Sequence, residues 1–331
     1  MKTRRELILS LSAGALSVPP FTALAQQSGK LRRVGFFYGG SRQSAIETGR
    51  YPAFIDGMRK LGYEEGKNLV IEARYADGDA QGLVKLADEL LATKPEVVVA
   101  TGTPVFRALQ RATTSIPVVI TASADPVGEG FTRSLARPTG NFTGMSTGNT
   151  DVFPKQIELL ATLVPKLSKM TVLWNPNNDA HAGRLKNITA IAQKAGIKVT
   201  GVEARAADEI ERAFAAMARE RTGAMLFLPD TLFVQQLPQI ARLALKHRIP
   251  SIFATRQYAE AGGLMTYGQN ITDNFRHAAV YVDKLLKGAK PGDIPIEQPT
   301  KYEFVLNMKT AKAIGVKIPE MTLMRTDQVI E

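Results

Sequence analysis

The stretch VIEARYADGD, residues 70–79, returns as GVEARAADEI at residues 201–210. A glycine-led segment precedes each copy, LGYEEGKN in the first case and AGIKVT in the second, and a helical pattern follows each. A second pair repeats the relation at nearly the same offset: IPVVITAS at 116–123 and IPSIFATR at 249–256. Two halves of one topology account for both pairs. Around them, short apolar runs alternate with amphipathic helical segments such as AQGLVKLADELLATK and EIERAFAAMARERT. The runs predict strands at 34–38, 68–75, 96–101, 116–122 and 141–146, then at 170–175, 197–204, 224–228, 249–255 and 263–268. Strands alternating with helices imply parallel sheets covered on both faces. The expected fold is therefore α/β, with two similar doubly wound parallel-sheet lobes joined by a hinge.

The tail adds parts outside the repeat. DNFRHAAVYVDKLLKG (273–288) puts Phe275, Ala278, Ala279, Val282, Leu285 and Leu286 at helical spacing and ends on Gly288. PGDIPIEQPT is rich in proline and extended, and KYEFVLN and KTAKAIG read as a strand and a short helix. The expected boundaries are 31–147 plus 271–297 for lobe one and 148–270 plus 298–331 for lobe two, with hinge strands that include Thr143 to Thr147.

The 331 residues carry 22% charged side chains and a formal charge of +11. The basic residues are scattered, without a run of five, and no helix-turn-helix or RNA-binding motif occurs, so nucleic acid is not the expected partner. The first residues, MKTRRELILSLSAGALSVPPFTALAQQ, have a basic start, a short apolar core and Ala23-Leu24-Ala25 before Gln26. That is a signal peptide cleaved after Ala25. Arg4-Arg5 suits a twin-arginine route as well as the general one. No later segment is long enough to span a membrane. The absence of cysteine removes disulfides, thiolate chemistry and a lipid anchor at the cleavage site. A secreted chain with no anchor is expected in a periplasm, as a monomer.

Open parallel sheets bind ligands beyond the carboxyl ends of their strands. The first series ends on Tyr38 and Ser41, on Thr101-Gly102-Thr103 before Pro104, and on Ser123 and Asp125. The second ends on Trp174 and Asn178, on Asp230-Thr231, on Arg256 and on Tyr267. Backbone amides at Thr101–Thr103, or Arg256, suit a carboxylate. Asp230 suits an ammonium, and Tyr38, Trp174 and Tyr267 suit a flat or apolar side chain between them. Each has a plainer reading: Asp230 as a helix N-cap, Asp125 as a turn residue, Trp174 as core packing and Arg256 as a solvated surface group.

Signals for catalysis are weak. GMSTG (144–148) matches a nucleophile elbow centred on Ser146, but no helix follows at once and His181, His247 and His277 all sit in helical patterns. DGD at 77–79 lacks the rest of a calcium loop, no histidine pair has metal-ligand spacing, and no phosphate-binding glycine motif is present. No cofactor is expected.

The segments GYEEGKNLVIEARYADGD, ATGTP, SADPVGEGFTRSLARPTGNFTGMS, GGLMTYG and YVDKLLKGAKPGDIPIEQPTKYEFVLNMKTAKAIG resemble those of ABC-transporter substrate-binding proteins of the tryptophan/tyrosine-type group. The resemblance spans essentially the whole chain after the signal. It implies a type I periplasmic-binding-protein fold with three crossovers between the lobes and a cleft that closes on a solute. It places Thr103, Asp125, Asn178 and Asp230 at that cleft. The chain departs from the group at YGGSRQSAIETGR (38–50) and WNPNND (174–179). The expected function is the periplasmic solute-binding component of an ABC importer, handing a small solute to an ABC permease with its ATPase. The expected solute is an amino acid or related carboxylate, aromatic ones included. The alternatives are a sensory binding protein that docks on a receptor kinase and a periplasmic hydrolase using Ser146.

Overall fold

The structure, a computed structural model, describes residues 31–331; the expected signal peptide lies outside them. Twelve strands occur among the described residues: β1 Arg32–Tyr38, β2 Leu69–Tyr75, β3 Val97–Thr101, β4 Val118–Ser123, β5 Phe142–Ser146, β6 Lys169–Trp174, β7 Lys198–Glu203, β8 Ala224–Phe227, β9 Ser251–Phe253, β10 Met265–Gly268, β11 Glu303–Asn307 and β12 Gln328–Ile330. They form two sheets. The first has the order β2-β1-β3-β4-β5 and is parallel throughout. The second has the order β12-β11-β10-β9-β8-β6-β7. Its part β7-β6-β8-β9-β10 repeats the order of the first sheet, strand for strand, so the sequence duplication is a duplication of topology.

The central strands are hydrophobic on both faces because both faces are covered. Successive side chains of a strand point to opposite sides. Phe36 accordingly packs with Phe54, Met58 and Phe275, while its neighbour Phe37 packs with Leu90 and Phe106 on the other face. In the second sheet Val172 and Leu226 face one core, and Leu173 and Phe227 face the other. Each fully buried side chain of this size contributes about 1.5–3 kcal/mol.

The chain changes sheets three times: after β5, after β10 and before β11. The Ile271–Leu286 helix follows the second-sheet strand β10, yet packs on the Arg50–Lys60 helix under the first sheet. The contact is close at Gly57, where a Cβ would stand 2.4 Å from the Arg276 carbonyl oxygen. The returning segment runs beside β5, with Glu297 N–H donating to Gly144 O and Ser146 N–H to Glu297 O. Three features differ from the sequence expectation. A helix, Asn149–Leu163, begins directly after Gly148, where none was expected so soon. β11 runs antiparallel to β10, and β12 extends the second sheet beside β11. β12 has three residues and is largely exposed, so it leaves no apolar run to read.

Candidate functional site

The order 2-1-3-4-5 places a switch point between the first and third strands of each lobe, where the chain leaves to opposite sides and a crevice opens. In the first lobe that point lies between the ends of β1 and β3, in the second between β6 and β8. The two crevices face each other across a cavity of about 80 Å3.

At the first crevice β3 ends on Thr101. Gly102, at φ 92°, turns the chain into the Thr103–Ala112 helix. Its left-handed φ favours a residue without a side chain. Gly39 and Gly40 after β1 let the second lobe come close, since Cβ atoms there would stand 3.1 Å from Thr231 Oγ1 and 2.6 Å from Gln235 Nε2. Thr103 Oγ1 and Ser123 Oγ donate to Glu129 Oε2 at 3.1 and 3.0 Å. Arg184, from the Asp179–Lys194 helix of the second lobe, pairs with Glu129 Oε1. A second pair, Arg107–Asp179 at 2.9 Å, joins the lobes at the rim.

At the second crevice Asp230 caps the Thr231–Gln235 helix. Its Oδ1 accepts from Leu232 N–H at 3.0 Å and Asn175 Nδ2 at 3.1 Å, and its Oδ2 accepts from Asn178 Nδ2 at 2.9 Å. Asn178 in turn caps the Asp179–Lys194 helix. His181 lies behind them, fully buried. Its Nδ1 accepts from Asn175 N–H, so Nε2 carries the proton and donates to the Pro229 carbonyl at 3.1 Å. Desolvation pushes its pKa from 6.5 down to about 4, against the opposing pull of Asp230. At neutral pH it is thus uncharged, although Nε2 lies 4.0 Å from Asp230 Oδ2.

A depressed histidine pKa gives a signed expectation. The unfolded chain takes up the proton first, so the stability His181 contributes is complete above pH 6.5 and lost as the pH falls toward 4. A His181→Gln variant escapes this loss. Its stability relative to wild type should rise by roughly 2–3 kcal/mol between pH 7 and 4.5 in denaturant unfolding. Parallel pH profiles of the two proteins would refute the neutral, buried imidazole.

The cavity gathers Thr101, Gly102, Thr103, Asn178, Asp230 and Thr231 from the residues expected at strand ends. Ser123 stands just behind, as a partner of Glu129. Other expected residues are elsewhere. Asp125 accepts from Gly128 N–H at 2.8 Å and shapes the turn. Ser41 caps the Arg42–Glu47 helix. No aromatic sandwich forms. Tyr38 is wholly buried in the core. Trp174 packs against the second core beside Leu185 and Gly201. Tyr267 stacks on Tyr302 at 5.7 Å between ring centroids. Arg256 is drawn to the surface by Glu260 and Gln328. Ser146 is buried, its hydroxyl within 3.4 Å of the Ala124 carbonyl and accepting from Gly148 N–H, with no histidine among its partners.

Five further polar residues line the cavity: Arg50, Thr147, Arg184, Thr255 and Gln269. Thr255 and Gln269 follow β9 and β10, so the strand-end rule reaches them. Arg50 and Arg184 lie on helices and reach the cavity by side-chain length, which no local pattern announces. Among the described residues, buried side-chain atoms without a hydrogen-bond partner are few, and Arg50 Nε, Thr255 Oγ1 and Gln269 Oε1 all belong to this cavity's lining. Its one aromatic residue is Phe253. Unmet polar atoms converging between two lobes describe a site for a polar ligand, since buried donors and acceptors are nearly always paired.

The same fold recurs in known proteins. A protein of Clostridioides difficile named tyrosine-binding protein is 27% identical over 265 residues, 80% of this chain and 76% of that protein. A conserved domain protein from Vibrio cholerae superposes with a TM-score of 0.83 at 27% identity, over 91% of this chain and all of that one. An ABC domain from Streptococcus pneumonia in complex with L-Trp gives 0.81 at 26% identity, over 90% and 99%. The family model described as ABC transporter substrate binding protein matches residues 45–330. The chain belongs to the ABC transporter substrate binding protein family.

Proposed function

We propose that the chain captures an amino acid in the cavity between its lobes and delivers it to an ABC permease with its ATPase. Asp230 carries this reading. Its carboxylate is 7% exposed, both oxygens are aimed by amide donors, and among the described residues the one basic group within ion-pair distance is a neutral imidazole. A carboxylate so held lacks a cation, and the ammonium of an amino acid supplies one. The amides of the Thr101–Thr103 turn offer hydrogen bonds to the other end of the solute. The relatives named for tyrosine and crystallised with L-Trp support an amino acid as the class. Capture needs no chemistry, in keeping with a family of binding proteins and not of enzymes. Lobe one is taken as 31–147 with 271–297 and lobe two as 148–270 with 298–331, closing about the strands that join them. Closure shifts the open–closed population by the solute's differential contacts. Residues 1–25 would direct export to the periplasm, with cleavage after Ala25.

The test is isothermal titration of the chain from Gln26 with the common L-amino acids, repeated on Asp230→Ala. At least one amino acid should bind wild type. The variant should bind it at least thirtyfold more weakly, about 2 kcal/mol, beyond a stability loss of about 1 kcal/mol from the missing cap. Unchanged affinity in the variant would remove Asp230 as the amine partner.

A further inference from the structure

Arg50 is the other unneutralised charge of the cavity. It opens the Arg50–Lys60 helix, is 6% exposed and lines the cavity. Its Nη1 donates to the Tyr38 hydroxyl at 2.7 Å, and its guanidinium carbon lies 5.6 Å from the centroid of that ring. The ring face offsets part of the cost of burying the charge. Nε has no partner at all, and no carboxylate of the described residues lies within ion-pair distance. Arg184, the cavity's other cation, has its counter-ion in Glu129. A lysine or histidine in the place of Arg50 relieves its burial by losing the proton, but a guanidinium keeps its charge at every physiological pH. A buried, permanent cation without an anion is a strongly unfavourable arrangement. The protein nevertheless fixes it there, through a tyrosine set in the core.

We infer that Arg50 is the carboxylate anchor of the cleft, so that the solute binds as a zwitterion with its carboxylate on Arg50 of the first lobe and its ammonium on Asp230 of the second. This rests on the amino-acid reading of the site and assigns the residue that recognises the acid. The charges then close: Arg184 with Glu129, Arg50 with the solute carboxylate, Asp230 with the solute ammonium. The planar guanidinium offers paired donors to a carboxylate, and one hydroxyl from Tyr38 leaves donors of the fork for the ligand. Sugars, amines and carboxyl-blocked amino acids lack the matching group and are rejected.

The experiment screens the chain from Gln26 by thermal unfolding with the common L-amino acids, their carboxamides and the corresponding acids without the amine. Binders are then titrated against wild type, Arg50→Gln, Arg50→Lys and Tyr38→Phe. Wild type should bind an amino acid at least a hundredfold more tightly than its carboxamide. In Arg50→Gln the acid should bind at least tenfold more weakly, with little preference left over the amide. Arg50→Lys should restore part of that preference, and Tyr38→Phe should weaken binding of the acid alone. Without solute, Arg50→Gln should unfold no earlier than wild type, because an uncompensated charge has gone. Should it fail to fold, Arg50→Lys and Tyr38→Phe carry the comparison. Equal binding of acid and amide by wild type overturns the role of Arg50 and leaves amino-acid capture standing, as does an unchanged acid preference in Arg50→Gln. Tight binding of amine-free acids that is lost in Arg50→Gln keeps the anchor and overturns the amino-acid reading. No shift with any of the three sets overturns both.

Discussion

A Gly144→Ala chain should lose at least 3 kcal/mol of stability, a fall of about 5 °C or more in the unfolding midpoint. Gly144 lies in β5, paired with Ile120 of β4. A Cβ on it would stand 2.2 Å from the Ile120 carbonyl oxygen and 2.6 Å from the Ile120 nitrogen. Those are backbone atoms of a central strand, so no rotamer change relieves the clash. The backbone at φ 131° adds strain for any residue with a side chain. Gly140→Ala is the control. Its φ is 82°, but nothing lies within 4 Å of the added carbon. That variant should cost only the roughly 1 kcal/mol of a left-handed alanine. Calorimetry of the pair separates close approach from backbone strain. Similar midpoints for the two would show that β5 moves aside freely. Gly144 also accepts the Glu297 N–H at the crossing between lobes, so a folded remnant should bind solute poorly as well.

The second large effect is on closure. Glu129→Ala removes the partner of Arg184 and of two hydroxyls, those of Thr103 and Ser123. Both charges are largely buried, with side-chain exposures of 11% for Arg184 and 8% for Glu129. Breaking such a pair from one side costs about 3–5 kcal/mol, because the remaining charge stays buried and unpaired. Here the partners belong to different lobes, and opening lets Arg184 return to water. The cost should therefore fall on the closed state. Solute affinity should drop more than a hundredfold while the unliganded midpoint moves little. Solution scattering should show wild type contracting on solute and the variant staying extended. Arg184→Met in addition should recover part of the affinity, since the stranded charge is gone. If Glu129→Ala closes and binds as wild type does, the pair is no latch.

Much of the scaffold was legible because parallel strands covered on both faces must be apolar throughout. Val97–Thr101 is the plain case: five residues, all buried, ending at a glycine turn. The same physics delivered the cavity's polypeptide ends, since a βα unit puts Thr101–Thr103 and Asp230 beyond its strands whatever the ligand. Identity at a strand end does not fix direction, however. Arg256 follows β9 as Asp230 follows β8, yet Glu260 and Gln328 hold it outside. Tyr38 ends β1, yet its ring turns into the core to support Arg50. Long side chains from helices were hidden for the opposite reason. Arg50 and Arg184 look like the solvated face of an amphipathic helix until the lobes are brought together. Glu129, in a proline turn, reads as loop until Arg184 arrives from more than fifty residues away.

The Ile271–Leu286 helix has a consequence for the order in which the chain matures. Phe36, Phe54 and Met58 are made early, and the partners that cover them, Phe275, Ala279 and Val282, come near the end. The whole second-sheet repeat is synthesised in between. An emerging chain therefore cannot seal its first core while only its first half exists, and a half-length product would leave a broad apolar face open to water. The interleaving ties the two lobes into one assembly event and keeps the nascent chain unfinished until nearly all of it is available.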